Sequence, residues 1–274
     1  MILFLLAGLG MGVHSAGVEI RKFESLAAQE IRSNLQGDSA KVSVTSRMTA
    51  GIGGAWGDFA RVTIDASDFR AEGLPLWVEP GRSQYGKVRE LVIRLRDFNL
   101  AGLDVARLEA TIPDCRFDLG LALSAKKIRL SRSGEGSGRV EVTHDALERF
   151  IVRKFAEVKR VEVKLGGDRI MVAGYGEFLL VKTEFLVVAN LRARNGVQLH
   201  LEDAKIYFDG VTPDAESSRI LLDTLNPVVD LDKDLHLHGA VTFVGVRLSD
   251  NRLLATCTTR IPSRPQNMGT PEQE

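Results

Sequence analysis

The spacing of apolar residues divides the chain into a helical start and a strand-rich remainder. In Val18–Leu35 the apolar residues lie three or four positions apart, as Phe23, Ala27 and Ile31 do, while charged residues occupy the other faces. This spacing predicts an amphipathic α-helix that ends at Gly37. After Gly37 apolar and polar residues mostly alternate, as they do in strands that bury one face.

Period-two alternation predicts an extensive β-sheet. Leu91, Ile93 and Leu95 share one face of a strand whose other face is charged, and the apolar residues of the long stretch Glu177–Arg194 fall mostly on odd positions. Asn195-Gly196 is the strongest hairpin signal, because both central residues of a type I′ turn need a positive φ. The predicted strands are Arg61–Phe69, Arg89–Phe98, Leu108–Ile112, Lys127–Leu130, Arg139–Val142, Val161–Leu165, Arg169–Ala173, Glu177–Arg194, Val197–Glu202, Lys205–Phe208, Leu235–Leu248 and Arg252–Thr259.

Two further helices interrupt the strands. Thr143 is a suitable N-cap for a second helix from His144 to Glu157, and a short third helix spans Asp214–Leu225 and ends before Pro227. The order of elements contains no βαβαβ repeat, which argues against a doubly wound nucleotide-binding fold. We therefore predict an α+β protein in which one long antiparallel β-sheet is rolled around the N-terminal amphipathic helix.

The first residues bear on the compartment. Met1–Val13 is an apolar run that is too short to span a hydrocarbon core of about 30 Å, but it has the length of a signal-peptide core. It lacks the positive residues that usually precede such a core, and the alternative is a buried N-terminal helix or strand. We expect an exported protein, either secreted or periplasmic. Its predicted parts are a signal peptide or N-terminal hydrophobic segment at 1–16, a single roll domain at 17–262 and a disordered tail at 263–274.

Composition and charge narrow the function classes. The 274 residues include 36 basic and 36 acidic side chains, so the formal net charge is zero. A general nucleic-acid binder needs an excess of Lys and Arg to displace counterions, and this balance argues against one. The two cysteines, Cys115 and Cys257, form neither a disulfide scaffold nor a zinc motif. They either pair with each other or remain two separate buried thiols.

The sequence carries little that is typical of an enzyme. The glycines at 51–54 lack the strand–loop–helix context and the GK[ST] ending of a phosphate-binding loop. His236 and His238 share one face of a predicted strand, and His200 is a third candidate ligand, but a zinc site also needs oriented outer partners. The acidic residues are scattered, and the sequence contains no GxSxG motif. We predict a non-catalytic protein without a cofactor or a metal site.

The apolar faces of the strands and of the first helix admit two interpretations. Either they close on one another as an ordinary core, or they leave room for an acyl chain between sheet and helix. Burial of a methylene group contributes about 0.8 kcal/mol, so a 16-carbon tail gains about 12 kcal/mol before costs are subtracted. A protein can therefore bind lipid without any polar motif.

Three stretches of the chain resemble the LmeA-like phospholipid-binding family of bacterial envelope proteins. They are the apolar start that leads into Val18–Leu35, the strand–Gly/Ser–strand–helix passage Ala125–Phe155, and Leu225–Leu231 with the final hairpin through Asn251-Arg252-Leu253. The resemblance implies an envelope protein that binds phospholipid in a long apolar groove, within a roll similar to the tubular lipid-binding proteins. It assigns no individual binding residue.

Periodicity and this resemblance together give a set of candidate lipid-binding residues. We expect acyl chains to lie between the N-terminal helix and inward-facing strand residues, whose role is to line a cavity. The candidates are Phe23, Ala27, Ile31, Leu91, Ile93, Leu95, Val181, Phe185 and Val187. The alternative function is a structural or assembly module of the envelope whose core is filled, and a hydrolase or glycan-modifying enzyme is a third class.

The segment around the second helix is basic and is a candidate for peripheral contact with an anionic membrane surface. Each well-placed charge near such a surface contributes about 1 kcal/mol. The alternative is a solvated face balanced by neighbouring glutamates, and we favour this alternative. The basic residues are Arg149, Arg153, Lys154, Lys159 and Arg160.

Overall fold

The computed structural model describes residues 21–49, 57–167, 169–178 and 181–264. The predicted signal segment 1–16, the glycines at 51–54 and residues 265–274 of the predicted tail lie outside these ranges, so the corresponding expectations stay predictions. Within the described ranges the chain is α+β and consists mainly of strands, as the sequence predicts.

Four helices and fourteen strands are present in the described ranges. The helices are α1 (residues 21–33), α2 (Leu119–Ser124), α3 (His144–Lys154) and α4 (Ala215–Leu225). The strands are β1 (Lys41–Met48), β2 (Asp58–Ser67), β3 (Arg70–Ala71), β4 (Gly86–Leu100), β5 (Leu103–Phe117), β6 (Leu130–Arg132), β7 (Gly136–Thr143), β8 (Val158–Gly166), β9 (Arg169–Phe178), β10 (Val181–Arg194), β11 (Gln198–Phe208), β12 (Val229–Asp230), β13 (Val241–Ser249) and β14 (Arg252–Thr259). None of the helices in this part of the chain is long and apolar enough to cross a bilayer.

The strands form two sheets instead of the single continuous sheet that the sequence predicts. The first sheet has the order β1-β2-β4-β5-β7-β14-β13, with β3 and β6 pairing at its margins, and the second has the order β12-β11-β10-β9-β8. Most pairs are antiparallel, but β2 runs parallel to β4. The prediction of one antiparallel sheet is therefore wrong on both counts. The parallel pair is possible because residues 72–85 are long enough to carry the chain back to the end where β2 begins.

The predicted second and third helices begin within one residue of where the structure places their starts. Thr143 caps α3 through its side chain, as predicted, although the helix ends at Lys154 rather than at Glu157. Asp214 caps α4 in the same way. The sequence does not predict α2, because six residues are too few to show a helical period; Asp118 caps its start.

Most differences between predicted and observed strands fall at turns. The predicted strand Leu235–Leu248 begins only at Val241, because residues 231–240 form consecutive turns. Asn195 and Gly196 both have positive φ, as the hairpin prediction requires. Val197 belongs to the same turn, so the loop has three residues instead of two. The sequence does not predict β1, β3 or β12, and β6 begins three residues later and ends two residues later than the predicted strand Lys127–Leu130.

The described part of the N-terminal helix packs on the first sheet. The Phe23 ring stacks on the Phe59 ring of β2, with the centroids 4.7 Å apart. The Glu24 carboxylate accepts hydrogen bonds from both the backbone N–H and the hydroxyl of Ser46 on β1. Buried residues from α1, α3, α4 and both sheets belong to one hydrophobic cluster. The amphipathic stripe that predicts α1 is therefore the face that joins it to the core.

Gly174 lies where the second sheet has no room for a side chain. A Cβ atom there would lie 2.5 Å from the carbonyl oxygen of Arg160 and 2.6 Å from the Phe185 ring. Because both neighbours lie within the sheet, we expect Gly174→Ala to lower the free energy of unfolding by about 1–3 kcal/mol. Urea denaturation measures this change.

Gly166→Ala is the matched control for that prediction. Gly166 ends β8 in the same sheet, and a Cβ atom there meets nothing within 4 Å. We expect this variant to change the free energy of unfolding by less than about 0.5 kcal/mol. Equal effects of the two substitutions would contradict the steric explanation.

Candidate functional site

An apolar cavity of about 190 Å³ lies between the inner face of the first sheet and the elements that cover it. Strands β2, β4, β5, β7 and β14 contribute its floor, and α1, α3 and the segment 229–243 contribute the opposite walls. Among the described residues that line it, Thr259 and Arg260 alone have polar side chains. Such a cavity suits a hydrocarbon, because it offers van der Waals contact and exclusion of water but few hydrogen bonds.

The register of the first sheet explains why the floor is apolar. Leu95 on β4 pairs with Ala66 on β2 and with Leu108 on β5. Leu108 pairs with Val140 on β7, which pairs with Ala255 on β14. Paired residues face the same side of a sheet, so alternation within five strands produces one apolar row across the floor. Leu95, Leu108 and Val140 are only half-buried, which agrees with open space beside them.

Residues from two helices and the second sheet form the opposite side. Ile31 and Leu35 come from α1 and the turn after it, Leu147 comes from α3, and Leu199 and Val229 come from β11 and β12. All five are buried. Ile31 and Leu35 have the four-residue spacing of one helix face. The apolar stripe of the N-terminal segment therefore reaches the cavity at its C-terminal end.

Asn226 joins the end of α4 to β11. Its side-chain oxygen accepts a hydrogen bond from the N–H of Leu201 at 2.8 Å, and its amide group donates to the carbonyl of Leu201 at 3.2 Å. An asparagine side chain can satisfy both backbone groups of one residue in this way, as a neighbouring strand would. Asn226 therefore fixes the position at which the chain leaves α4 and enters β12.

Asp230 organises the turns that follow β12. The residue is only 3% exposed, and its carboxylate accepts hydrogen bonds from the Gln198 side chain and from the N–H groups of Asp232 and Lys233. Burial by itself raises the pKa of Asp230, but the hydrogen bonds from Lys233, Gln198 and Asp232 outweigh it, and the pKa is lowered overall. The leucines that these turns bring to the cavity are Leu231, Leu235 and Leu237.

Two basic residues of α3 bind other parts of the chain, and one of these parts is the segment around β12. The Lys154 ammonium group donates to the Asp234 carboxylate at 2.5 Å and to the carbonyl of Pro227 at 2.7 Å. Arg149 pairs with Asp104 at 2.9 Å. Two of the five basic residues that the sequence offers as a membrane-facing surface are therefore paired within the protein, although their partners are distant aspartates and not the neighbouring glutamates of the alternative interpretation.

Residues 72–85, which we call the strap, connect β3 to β4 along the open side of the first sheet. His236 Nδ1 lies 2.8 Å from the carbonyl oxygen of Glu72, and the N–H of Val78 donates to the chain just after β14. Within the described chain, no backbone hydrogen bond fastens the strap between residues 73 and 77. The strap residues that line the cavity are Gly73, Leu74, Pro75 and Leu76. The strap is therefore anchored on both sides of the part that covers the cavity.

A family model of LmeA-like phospholipid-binding proteins matches residues 85–258. The chain belongs to this family. The match contains β4 and almost everything after it, including Asn226 and Asp230, whereas α1 and β1–β3 precede it. The resemblance seen in the sequence is thus confirmed, although the first of its three stretches lies before the matched residues. No curated relative and no solved structure shows significant similarity to the chain.

The structure separates the nine predicted lining residues into groups. Those that line the cavity are Ile31, Ile93 and Leu95. Those that pack in the core around α1 and β4 without lining it are Phe23, Ala27 and Leu91. Those buried on β10 in the second sheet, away from the cavity, are Phe185 and Val187. Val181 begins β10, and its side chain lies outside the part of the chain that the structure describes.

The sequence-based prediction placed β4 and β10 in one sheet. It therefore assigned residues of both strands to a single lipid-binding site. The inward face of β10 is apolar, as predicted, but it packs in the second sheet. The sequence-based prediction did not include the lining residues of β5, of β7 or of the turns at 231–240. Leu108 and Val140 could have been included, because each belongs to a predicted strand in which apolar and polar residues alternate. Nothing in the periodicity indicated the turns, which depend on the buried Asp230 carboxylate.

The histidines do not form the group that strand alternation predicts. His236 and His238 lie in turns with positive φ, so they do not share a strand face and the prediction is wrong there. His200 lies on β11, where its Nε2 atom is 3.0 Å from the Gln198 side-chain oxygen. Burial is the main cause that lowers the pKa of His200 below its usual value.

Other groups with potential chemistry have structural explanations. His144, Asp145 and Glu148 lie close enough to be considered as metal ligands, but the Glu148 carboxylate accepts a hydrogen bond from the backbone of β8 at 2.7 Å. Cys115 and Cys257 are both buried and unpaired. The alternative of two separate thiols therefore holds, and burial raises the pKa of each to about 11.

Proposed function

We propose that this protein binds the acyl chains of a phospholipid in the cavity and performs no catalysis on them. Membership of a phospholipid-binding family supports the ligand class. The observation that carries the proposal is the apolar floor formed by five strands, with half-buried side chains at Leu95, Leu108 and Val140. In this proposal the first sheet forms a roll around α1, and the lining residues exclude water without reacting.

The size of the cavity determines how much of a lipid it holds without rearrangement. An engineered apolar cavity of about 150 Å³ binds benzene, so the 190 Å³ observed here matches a short hydrocarbon segment. Burying about eight methylene groups contributes roughly 6 kcal/mol before entropic costs. A full acyl chain therefore requires the cavity to lengthen or widen.

The strap is the element best placed to give that additional space. Its residues 73–76 line the cavity, and residues 73–77 lack backbone hydrogen bonds to the rest of the described chain. Moving residues 73–76 outward breaks few polar contacts and exposes mainly Leu74 and Leu76, whose apolar surface a lipid tail would cover again. In this proposal the strap opens around residues 73–77 while its fastened neighbours at Glu72 and Val78 stay in place.

The proposal includes a location in the bacterial cell envelope. The apolar run Met1–Val13 has the length of a signal-peptide core, and the family resemblance seen in the sequence implies an envelope protein. The second candidate function, a structural module with a filled core, is less well supported, because a filled core does not need an open apolar space beside half-buried leucines.

Uptake of a phospholipid with an environment-sensitive fluorophore on one acyl chain tests the proposal. Purified protein is expected to increase the fluorescence, and unlabelled phospholipid or free fatty acid is expected to reverse the increase. Glycerol phosphate, which has the polar part without the tails, is expected to have no effect. Absence of a fluorescence increase, or equal competition by glycerol phosphate, would contradict binding through acyl chains.

A further inference from the structure

A second apolar surface lies at the end of the molecule where β4 begins. There α2 has no buried side chain, and Leu123 within it is 70% exposed. Tyr85, the last residue of the strap, is 81% exposed. Gly86 pairs with Phe117, so Tyr85 lies beside the start of α2. Tyr85 is the most exposed of the large apolar and aromatic side chains in the described chain, and Leu123 is equalled among the others only by Val244.

Two cations adjoin these apolar side chains. Lys126 and Lys127 follow α2 directly, and both are exposed. In the described chain neither forms an ion pair, whereas Lys41, Lys154 and Lys164 each pair with a carboxylate. We call Tyr85, α2 and the two lysines after it the tip. It combines apolar and aromatic side chains with positive charge that is not neutralised within the described chain.

The described chain also starts at this end of the molecule. The Phe23 ring, near the start of α1, lies 4.7 Å from the Phe59 ring and 5.9 Å from the Phe117 ring, measured between centroids. Phe117 is the last residue of β5 and precedes α2 by one residue. Phe23, which lies two residues after the start of the described chain, is therefore close to the tip.

We propose that the tip docks on the surface of an anionic phospholipid membrane. Tyrosine favours the interface between water and hydrocarbon because its ring is apolar and its hydroxyl is polar. A leucine side chain enters the acyl boundary, and lysines are attracted to anionic headgroups. A second copy of the chain is a poorer partner, because it would bring the same unpaired lysines together.

Docking at the tip is a property separate from acyl-chain binding in the cavity. Ile93 and Leu95 line the cavity further along β4, whereas Tyr85 precedes its first residue. Docking through the tip would therefore orient the protein on a membrane so that the end where β4 begins faces the lipid. This assignment holds whether or not a phospholipid occupies the cavity.

Cosedimentation of the full chain with vesicles tests the assignment. Binding is expected on vesicles that contain phosphatidylglycerol and is expected to be much weaker on phosphatidylcholine alone. Each lysine near an anionic surface contributes about 1 kcal/mol, or about five-fold in affinity. The double variant Lys126→Gln/Lys127→Gln is therefore expected to weaken binding about 25-fold. Leu123→Ser is expected to weaken it about tenfold. Every variant retains the same N-terminal run, so the contribution of that run cancels in the comparison.

Two controls lie on other surfaces of the protein. Val244 on β13 is 70% exposed, the same fraction as Leu123, and Lys205 on β11 is exposed. Val244→Ser and Lys205→Gln are expected to leave vesicle binding unchanged. Equal losses in tip and control variants would overturn the assignment, as would vesicle binding that no tip variant alters. Concentration-dependent dimerisation that Leu123→Ser abolishes would instead assign the tip to a second copy.

A fluorescent label reports directly whether the tip enters the membrane. Cys115 and Cys257 are buried, and burial raises their pKa to about 11, so a thiol introduced by Leu123→Cys is expected to react selectively near neutral pH. A nitrobenzoxadiazole label there should shift to shorter wavelength on phosphatidylglycerol vesicles, and the same label on Val244→Cys should not. Equal shifts at both positions, or none at Leu123→Cys, would overturn the proposal. Uptake of free fatty acid, measured without vesicles, should be normal in every tip variant.

Discussion

Leu95→Trp is expected to reduce acyl-chain uptake at least about tenfold while the protein remains folded. Leu95 lies in the centre of the cavity floor and is only half-buried, so a larger side chain can extend into the open space. The indole ring would then occupy volume that a hydrocarbon needs, and a loss of about 1.4 kcal/mol in binding free energy already gives a tenfold effect. Uptake of the fluorescent phospholipid measures the change.

Leu254→Trp is the control for this substitution. Leu254 belongs to the same sheet, but it is adjacent to the lining residue Ala255 on β14 and therefore faces the other side. It is already 38% exposed, so a larger side chain there extends into solvent. We expect normal uptake in this variant and native circular dichroism in both. Normal uptake in a folded Leu95→Trp protein would show that the cavity does not hold the lipid tail.

Asp230→Ala is expected to lower the free energy of unfolding by about 3–5 kcal/mol. The substitution removes a buried carboxylate and leaves the side-chain donor of Gln198 and the N–H groups of Asp232 and Lys233 without their acceptor. Each unsatisfied buried group costs about 1–3 kcal/mol. Chemical denaturation of the two proteins at neutral pH measures the difference.

Acid should reduce the difference in stability between those two proteins. The pKa of Asp230 is lower in the folded protein than in the unfolded chain, where it is near the usual aspartate value of about 3.9. Its stabilising effect is therefore complete above that value and is lost as the pH falls through the lower pKa of the folded state. The difference between the two free energies of unfolding should therefore shrink mainly below about pH 4. Convergence that is already complete at pH 6 would contradict this assignment.

Asp223→Ala controls for the loss of an aspartate as such. Asp223 is exposed near the end of α4, where a negative charge opposes the helix dipole. We expect this variant to be as stable as the original protein or slightly more stable. A loss comparable to that in Asp230→Ala would mean that the hydrogen bonds around Asp230 do not determine the stability of the region.

Local patterns in the sequence predict much of the architecture, because the physical cause in each case is local. Helical spacing predicts α1, a capping residue locates the start of α3, and Pro227 locates the end of α4. Alternation predicts the inward faces of β4 and β10. Each of these features depends on residues within a few positions of one another, so a single sequence contains the necessary information.

The division into two sheets could not be predicted in this way. Whether β4 and β10 pair depends on contacts between distant segments, and periodicity is the same for either arrangement. The candidate site shows the consequence. Ile31, Ile93 and Leu95 line the cavity, but Phe185 lies in the second sheet. Similarly, residues 235–240 begin with the alternation of a strand, but they follow turns that the buried Asp230 carboxylate organises.

Native mass spectrometry of the protein, purified without added lipid from bacterial cells, tests lipid binding most directly. We expect a species heavier than the polypeptide by the mass of a phospholipid, and we expect organic extraction to remove the added mass and release that phospholipid. Leu95→Trp, prepared in parallel, should show much less of the heavier species. A spectrum with the polypeptide mass alone, from folded protein that also takes up no phospholipid afterwards, would contradict the account.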